Sequence, residues 1–404
     1  MVRSEGSEAR VEQFGITTWG SGLTRGNPFD VAVVMPTLLR PSLTRALRSI
    51  FDQDIDGSVQ ILIGIDAHEG PADITAECRR LPANMAVTVL DPGYSTARNR
   101  GGLHDALGGS LRAVLSLLAH APHVAYLDDD CWWAPHHLSS LHRTIRTRDW
   151  AYGLRWYVAP DVPLPLGIDT FESVGPTLGT YAKNEGGFCD TNTLMIDKTR
   201  CENAIMRWSR AQRGHPTGRG ADRVVFASLL AHEKFGATGK PTAYYEISES
   251  DNMHGARLAF LRKELKPVDG YRRYAMGEYM AAAIDFHRHG YLNGKPDHAM
   301  TWACSALLRL GERRTAAKLA GKAGDQTDGP CWQALTGQET PELSGHDGNT
   351  ACRVAFFRSQ RLLADGDRAG ARRWLALALQ HGEAGRPERA VAAAELQRLE
   401  QKAG

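Results

Sequence analysis

Two short, unbroken apolar runs constrain this chain most. Val31-Ala32-Val33-Val34-Met35 stops at Pro36-Thr37, and Ile61-Leu62-Ile63-Gly64-Ile65 stops at Asp66. Unbroken rather than alternating apolar character predicts strands covered on both faces, as in a parallel sheet. Between the runs, Leu43, Ala46, Leu47, Ile50 and Phe51 recur at helical spacing behind Ser42, a residue suited to capping a helix. Thr75 to Leu81 predicts a second helix, Ala86 to Leu90 a third strand and Val124 to Leu127 a fourth. This alternation implies right-handed crossovers and an α/β fold with a mostly parallel sheet flanked by helices. In such sheets ligands sit beyond the carboxyl ends of the strands. Pro36-Thr37, Asp66 and the residues just past Leu127 therefore share one edge.

Directly after Leu127 come Asp128-Asp129-Asp130. Burying unpaired carboxylates costs several kcal/mol or forces their protonation, so a triple Asp at a strand end implies a solvated rim or a bound cation. The competing reading is a polar turn that caps a helix starting near Pro135. Between the third and fourth strands, Ser95 or Thr96 is placed to cap a helix carrying Arg98 and Arg100. A helix N-terminus with guanidinium groups receives phosphate oxygens well; the alternative is a solvated arginine face.

In order along the chain, Pro36-Thr37, Ser49-Ile50-Phe51-Asp52-Gln53, Asp66, Ala97-Arg98-Asn99-Arg100-Gly101 and Leu127-Asp128-Asp129-Asp130 resemble the motifs of family 2 glycosyltransferases with a GT-A fold, a Rossmann-like architecture. The resemblance implies a donor site at Pro36 and Thr37, with Asp66 on the base of a nucleotide sugar. It puts Arg98 and Asn99 near the nucleotide and Asp128 and Asp129 facing it, and makes Asp130 a ligand of Mn²⁺ or Mg²⁺. The chemistry wants these residue types: a departing nucleoside diphosphate gathers negative charge, which a divalent ion held by hard oxygens stabilises. Gly220-Ala221-Asp222-Arg223 resembles the family's Glu-Asp segment at a helix start. Asp222 matches the base that deprotonates the acceptor, and Ala221 stands where the family has Glu. Helix capping is the other reading of Asp222. Glu185 and Asp190, in the stretch before Thr193 to Ile196, are rival bases on the acceptor side, and Trp133 is an aromatic candidate for the same side. His254, after Asp251-Asn252-Met253, matches a metal-binding His of several GT-A enzymes. The Pro- and Gly-containing stretch from Ala159 to Tyr181 has the length of a lid or binding loop.

Forty-eight basic against 46 acidic residues leave a net charge of +2, so no strong field favours nucleic acid. No apolar stretch reads as a signal peptide or a membrane span, and the expectation is a cytoplasmic protein for which peripheral membrane association stays open. The seven cysteines are scattered without a Cys-x-x-Cys pair, against a disulfide framework or structural zinc. Residues 1–29 read as a polar arm, 30–267 as the GT-A domain, and 268–404 as helices alone, with a polar connection over 324–349. Leu310-Gly311-Glu312-Arg313 recurs as Asp365-Gly366-Asp367-Arg368, resembling a tetratricopeptide-like hairpin at an unusual offset. Such an appendage is expected to dock a partner, a second copy in a homo-oligomer, or the acceptor.

The resulting expectation is an inverting, metal-dependent glycosyltransferase, moving a sugar from a UDP-linked donor to a glycan, lipid-linked or protein hydroxyl, as in polysaccharide biosynthesis. Two alternatives stand beside it. One is a non-catalytic nucleotide-binding scaffold that recruits partners through its helical tail, to which Ala221 lends support. The other is a sugar nucleotidyltransferase, disfavoured because Pro36-Thr37-Leu38-Leu39-Arg40 lacks the glycines of a phosphate loop.

Overall fold

A computed structural model describes residues 15–20, 27–103, 108–160, 162–210, 220–263, 269–293, 296–323, 329–336 and 342–401. Most of the polar arm and part of the 324–349 connection lie outside the described residues. The chain divides into two compact units, Met1–Trp156 with Ile168–Tyr245, and Tyr157–Gly167 with Glu246–Gly404.

In the first stretch of chain, β1 is Gly15–Trp19, β2 Val31–Thr37, α1 Leu43–Phe51, β3 Val59–Ile65, α2 Ile74–Cys78 and β4 Met85–Asp91. Next come α3 (Gly109–Leu118), β5 (His123–Tyr126), β6 (Trp132–Trp133), α4 (His137–Ile145), β7 (Trp150–Val158) and β8 (Pro165–Ile168). They are followed by β9 (Gly175–Pro176), α5 (Ala182–Glu185), β10 (Gly187–Phe188), β11 (Leu194–Asp197), α6 (Glu202–Ile205), α7 (Ala221–Leu229) and β12 (Phe235–Glu246). The main sheet runs β1-β4-β3-β2-β5-β11-β7-β12-β6. Its heart, β4-β3-β2-β5, is parallel, as the apolar runs imply, and every residue of β2 and β3 is buried. Antiparallel strands extend both sides of that heart: β1 pairs with β4, β11 with β5 and β7, and β6 with β12.

Leu43, Ala46, Leu47 and Ile50 form the buried stripe of α1, packed on the apolar face of the sheet. Ser42 precedes this helix but makes no side-chain cap; its carbonyl receives the Arg45 and Ala46 amides instead. In α2 the cap is Asp73, which accepts from the Ala76 amide at 3.0 Å. Asp128–Asp130 do not cap the next helix either, since α4 starts at His137 with His136 as its flanking residue.

The second unit holds α8 (His254–Lys263), α9 (Gly270–Met276), α10 (Tyr279–Asn293), α11 (Pro296–Arg309), α12 (Arg313–Ala323), α13 (Gly329–Thr336), α14 (Gly348–Ala364), α15 (Arg368–Gln380) and α16 (Pro387–Gln401). Successive helices pack on one another around Trp302, Tyr274, Phe286, Phe356 and Phe357. The repeated segments are two copies of one helix stop. Gly311 and Gly366 take φ of 78° and 88°, and the amides of Glu312 and Asp367 reach back to Leu307 and Leu362, both at 2.9 Å. These are the bonds of a Schellman motif, for which glycine is the least strained residue. No helix among the described residues is long and apolar enough to cross a membrane.

Candidate active site

Parallel register aligns the strand ends. Thr37 lies opposite Ile65, and Val34 opposite Tyr126, so the residues leaving β2, β3 and β5 meet at one edge. A cavity of about 210 Å³ opens there, lined by Pro36, Thr37, Leu38, Arg40, Asp66, Arg100, Gly108, Arg112 and the three aspartates. Gly108, at φ +61°, starts α3 so close to Pro36 that a Cβ would stand 3.0 Å from the ring.

The aspartates divide sharply. Asp129 is buried and turned onto the end of β2, where its Oδ2 accepts the Thr37 hydroxyl at 2.7 Å and the Leu38 amide at 3.0 Å. Asp128 faces Arg112, whose Nη2 donates to Oδ1. Asn192 grips Asp128 twice: Nδ2 donates to the carboxylate at 3.1 Å, and Oδ1 accepts the Asp128 amide at 2.7 Å. Asp130 keeps 51% of its side chain exposed and accepts from Arg40 Nη1 at 3.0 Å; the same nitrogen lies 3.5 Å from Asp129. Desolvation by the cleft walls, then the charges of Asp128 and Asp129, push the Asp130 carboxyl up to about 6. Water at its open half moderates that shift, since solvent screens exposed charges. The Asp130 carbonyl accepts from Arg45 at 3.1 Å, and the Arg45 guanidinium lies 3.8 Å over the Trp132 ring.

Asp66 is also committed. Its carboxylate accepts from Ser95 Oγ at 3.0 Å and from the Thr96 amide and hydroxyl, both at 2.9 Å. Ser95 and Thr96 thus anchor their loop to β3 rather than capping a helix. Arg98 to Arg100 form one 3₁₀ turn in place of the expected helix. Arg98 and Asn99 are exposed, while Arg100 lines the cavity and pairs with Glu69 at 2.6 Å.

Behind Asn192 lies a buried charge hub. Arg155 contacts Asp169 at 2.7 Å, Glu172 at 3.2 Å and Asp190 at 2.5 Å. Asp190 in turn accepts from the Asn192 amide at 2.9 Å and its Nδ2 at 2.8 Å. Asp190 is therefore engaged on both oxygens, Oδ2 by Arg155 and Oδ1 by Asn192. Glu185 lies 3.4 Å from Arg223, whose guanidinium sits 3.5 Å over Tyr181 and 3.7 Å over Phe188. Trp133, considered as an acceptor-side aromatic, is buried: its ring stacks on His137 at 4.3 Å and its Nε1 donates to the Asn192 carbonyl at 2.8 Å. It supports the cleft from behind.

Asp222 sits in the first turn of α7, behind Gly220 at φ +92°. Its Oδ1 accepts the Arg223 amide at 2.9 Å. Desolvation raises its pKa above the ordinary carboxylate value; Arg223 opposes the shift and Asp190 adds to it. Arg112 also lowers it, so Asp222 and Asp128 feel the same guanidinium. His254 opens α8 in the second unit, and its Nδ1 is buried without a hydrogen-bond partner among the described residues.

No group of three or more His, Cys, Asp or Glu among the described residues is placed to hold a metal. A preformed cage is therefore not what these side chains offer. Mg²⁺-like ions are, however, commonly held by one or two carboxylates together with substrate phosphates. Half-open Asp130, whose Oδ1 accepts from the Cys131 thiol at 3.5 Å, fits an ion shared with a bound diphosphate.

Cleft and topology together define an α/β protein with an acidic and arginine-lined site at the carboxyl edge of its parallel strands. The chain matches no family model and no curated protein sequence. Among solved structures it is similar to TarS of S. aureus, at 12% identity and a TM-score of 0.38, covering 92% of this chain and 55% of that one. The chain thus spans about half the length of that TarS chain. Against TarS 1–349 in complex with UDP-GlcNAc the identity is 15%, the coverage 93% and 91%, and the TM-score 0.38. A mannosyltransferase from Pyrobaculum calidifontis, in complex with GDP-Man and Mn²⁺, matches at 13% identity over 85% of this chain and 88% of its own, with a TM-score of 0.37. Similarities of this depth leave the chemistry to be read from the cleft's own residues.

Proposed function

We propose that the α/β unit is an inverting glycosyltransferase of GT-A type that transfers a sugar from a nucleotide donor, UDP-linked first among candidates, to a hydroxyl acceptor. One observation carries this reading: Thr37, Asp66 and Asp128–Asp130, three strand ends apart in sequence, line a single cleft with Arg40, Arg100 and Arg112. Mixed carboxylates and guanidinium groups at the carboxyl edge of parallel strands suit a nucleoside diphosphate and its counter-ion.

Each side chain has a task in this reading. Asp66 holds the Ser95-Thr96 turn that shapes the cleft wall near the nucleotide. Arg112 and Asn192 fix the rotamer of Asp128, so that it meets its ligand without reorganising. Asp130 holds a divalent ion, Mn²⁺ or Mg²⁺, and when bound that ion offsets charge on the leaving diphosphate. Asp222 takes the acceptor proton, and its raised pKa strengthens it as a base. Ala221, where the family has Glu, is packed into the apolar core at the start of α7. The acceptor is a glycan, lipid-linked or protein hydroxyl, and the setting is cytoplasmic.

The test is transfer and donor hydrolysis across a panel of UDP- and GDP-sugars with Mn²⁺. Asp222→Asn is expected to lower transfer by about 10²–10⁴-fold, the usual weight of a general base. Asp130→Asn is expected to lose nucleotide affinity. Full transfer by both variants rules the assignment out. A wild-type chain that binds nucleotide and never turns over selects the scaffold reading.

A further inference from the structure

Arg40 contacts two of the three aspartates, and neither its partner set nor its place follows from the motif. It leaves β2 three residues after Thr37, and its Nη1 lies 3.0 Å from Asp130 Oδ2 and 3.5 Å from Asp129 Oδ1. That puts a guanidinium against the carboxylate that the proposed function assigns to the divalent ion. A divalent ion at this carboxylate competes with Arg40, at a cost that solvent keeps to about 1 kcal/mol. The Arg40 side chain is 44% exposed and that of Asp130 51%, so their bond is of the weak, screened kind that exchanges readily.

Resting on the glycosyltransferase reading, we propose that Arg40 is an exchangeable counter-ion: it neutralises Asp130 before a divalent ion binds, yields that carboxylate to the incoming ion, and moves its guanidinium to the donor's diphosphate. The structure supplies both halves of the exchange. Arg40 lines the same cavity as Asp130, Arg100 and Arg112, so a diphosphate bound there lies within its reach. The backbone of the triplet does not depend on Arg40. Arg45 holds the Asp130 carbonyl at 3.1 Å, Thr37 and Leu38 hold Asp129, and Asn192 holds the Asp128 amide at 2.7 Å. Substituting Arg40 therefore removes a charge without releasing the loop.

The exchange predicts opposite effects on two ligands. In Arg40→Gln, Mn²⁺ alone binds more tightly, by about threefold, because a competing surface ion pair is worth under about 1 kcal/mol. UDP in saturating Mn²⁺ binds more weakly, by about tenfold or more, the weight of one hydrogen bond to a charged group. Arg40→Lys keeps the competition for Asp130 and loses only the forked contact, so its Mn²⁺ affinity stays at the wild-type value. Calorimetry with Mn²⁺ alone, then with UDP, reads both, and circular dichroism confirms the fold. Parallel weakening of both ligands, or no change in either, overturns the exchange while leaving the donor site standing. A wild-type chain that binds neither UDP nor GDP with Mn²⁺ sinks the glycosyltransferase reading and this inference with it.

Discussion

Side chains identical in type have separate jobs here because their neighbours differ. In the aspartate triplet, Asp129 ties two strand ends, Asp128 is held by Arg112 and Asn192, and Asp130 alone keeps half its surface open. Asn192→Ala is expected to lower nucleotide affinity in Mn²⁺ about tenfold, because Asp128 loses a charge-assisted bond and its amide loses its acceptor; calorimetry checks it. Asp222 offers a test by pH. Its pKa is raised in the folded chain, so the stability it contributes is fully present below the unfolded pKa and is lost as pH rises through the folded one. Asp222→Asn should therefore gain on the wild type in thermal unfolding as pH rises above the ordinary carboxylate range, while its transfer activity falls. Equal melting curves as pH rises contradict a raised Asp222 pKa. The candidate residues Asp66, Asp128 and Asp130 were legible as acids at strand ends. Arg40, Arg112 and Asn192 were not, because nothing in their local sequence marks them; they matter through contacts 90, 16 and 64 positions away.

At the scale of elements, the clearest dependence is that of β7 on its charges. Arg155 in β7 is buried against three carboxylates, and removing it leaves Asp169, Glu172 and Asp190 without their cation. Arg155→Leu is expected to destabilise the α/β unit by about 3–5 kcal/mol, the cost of breaking a buried ion pair from one side. Urea unfolding of the full chain measures it. In the helical unit, Gly366→Ala forces a Cβ into φ +88° at the end of α14 and should cost about 1 kcal/mol or slightly more, although nothing lies within 4 Å of the added atom. Element types followed periodicity well, as in α1 and β2, where one buried stripe or one unbroken apolar run decides the matter. The 3₁₀ turn at Arg98–Arg100 escaped that logic: Ser95 and Thr96 spend their hydroxyls on Asp66, a bond from a distant strand.

For the whole molecule, nucleotide and metal should act as one ligand. Without a preformed cage among the described residues, Mn²⁺ alone is expected to raise the melting temperature little, UDP alone little, and the two together by more than the sum of both, through binding to the native state only. Additive shifts contradict a shared ion. By itself the sequence determined the β2-α1-β3-α2-β4 succession, the parallel heart of the sheet, the helical character past residue 268 and the acidic edge, because these rest on local patterns of apolar and charged residues read within a few turns of chain. Only the tertiary structure decided which neighbours each acid meets. The antiparallel wings of the sheet, the hub at Arg155 and the guanidinium groups on Asp128 and Asp130 come from segments that sequence keeps far apart. A carboxylate's role is set by the charges and hydrogen bonds within a few ångströms of it, and those neighbours exist only once the chain has folded.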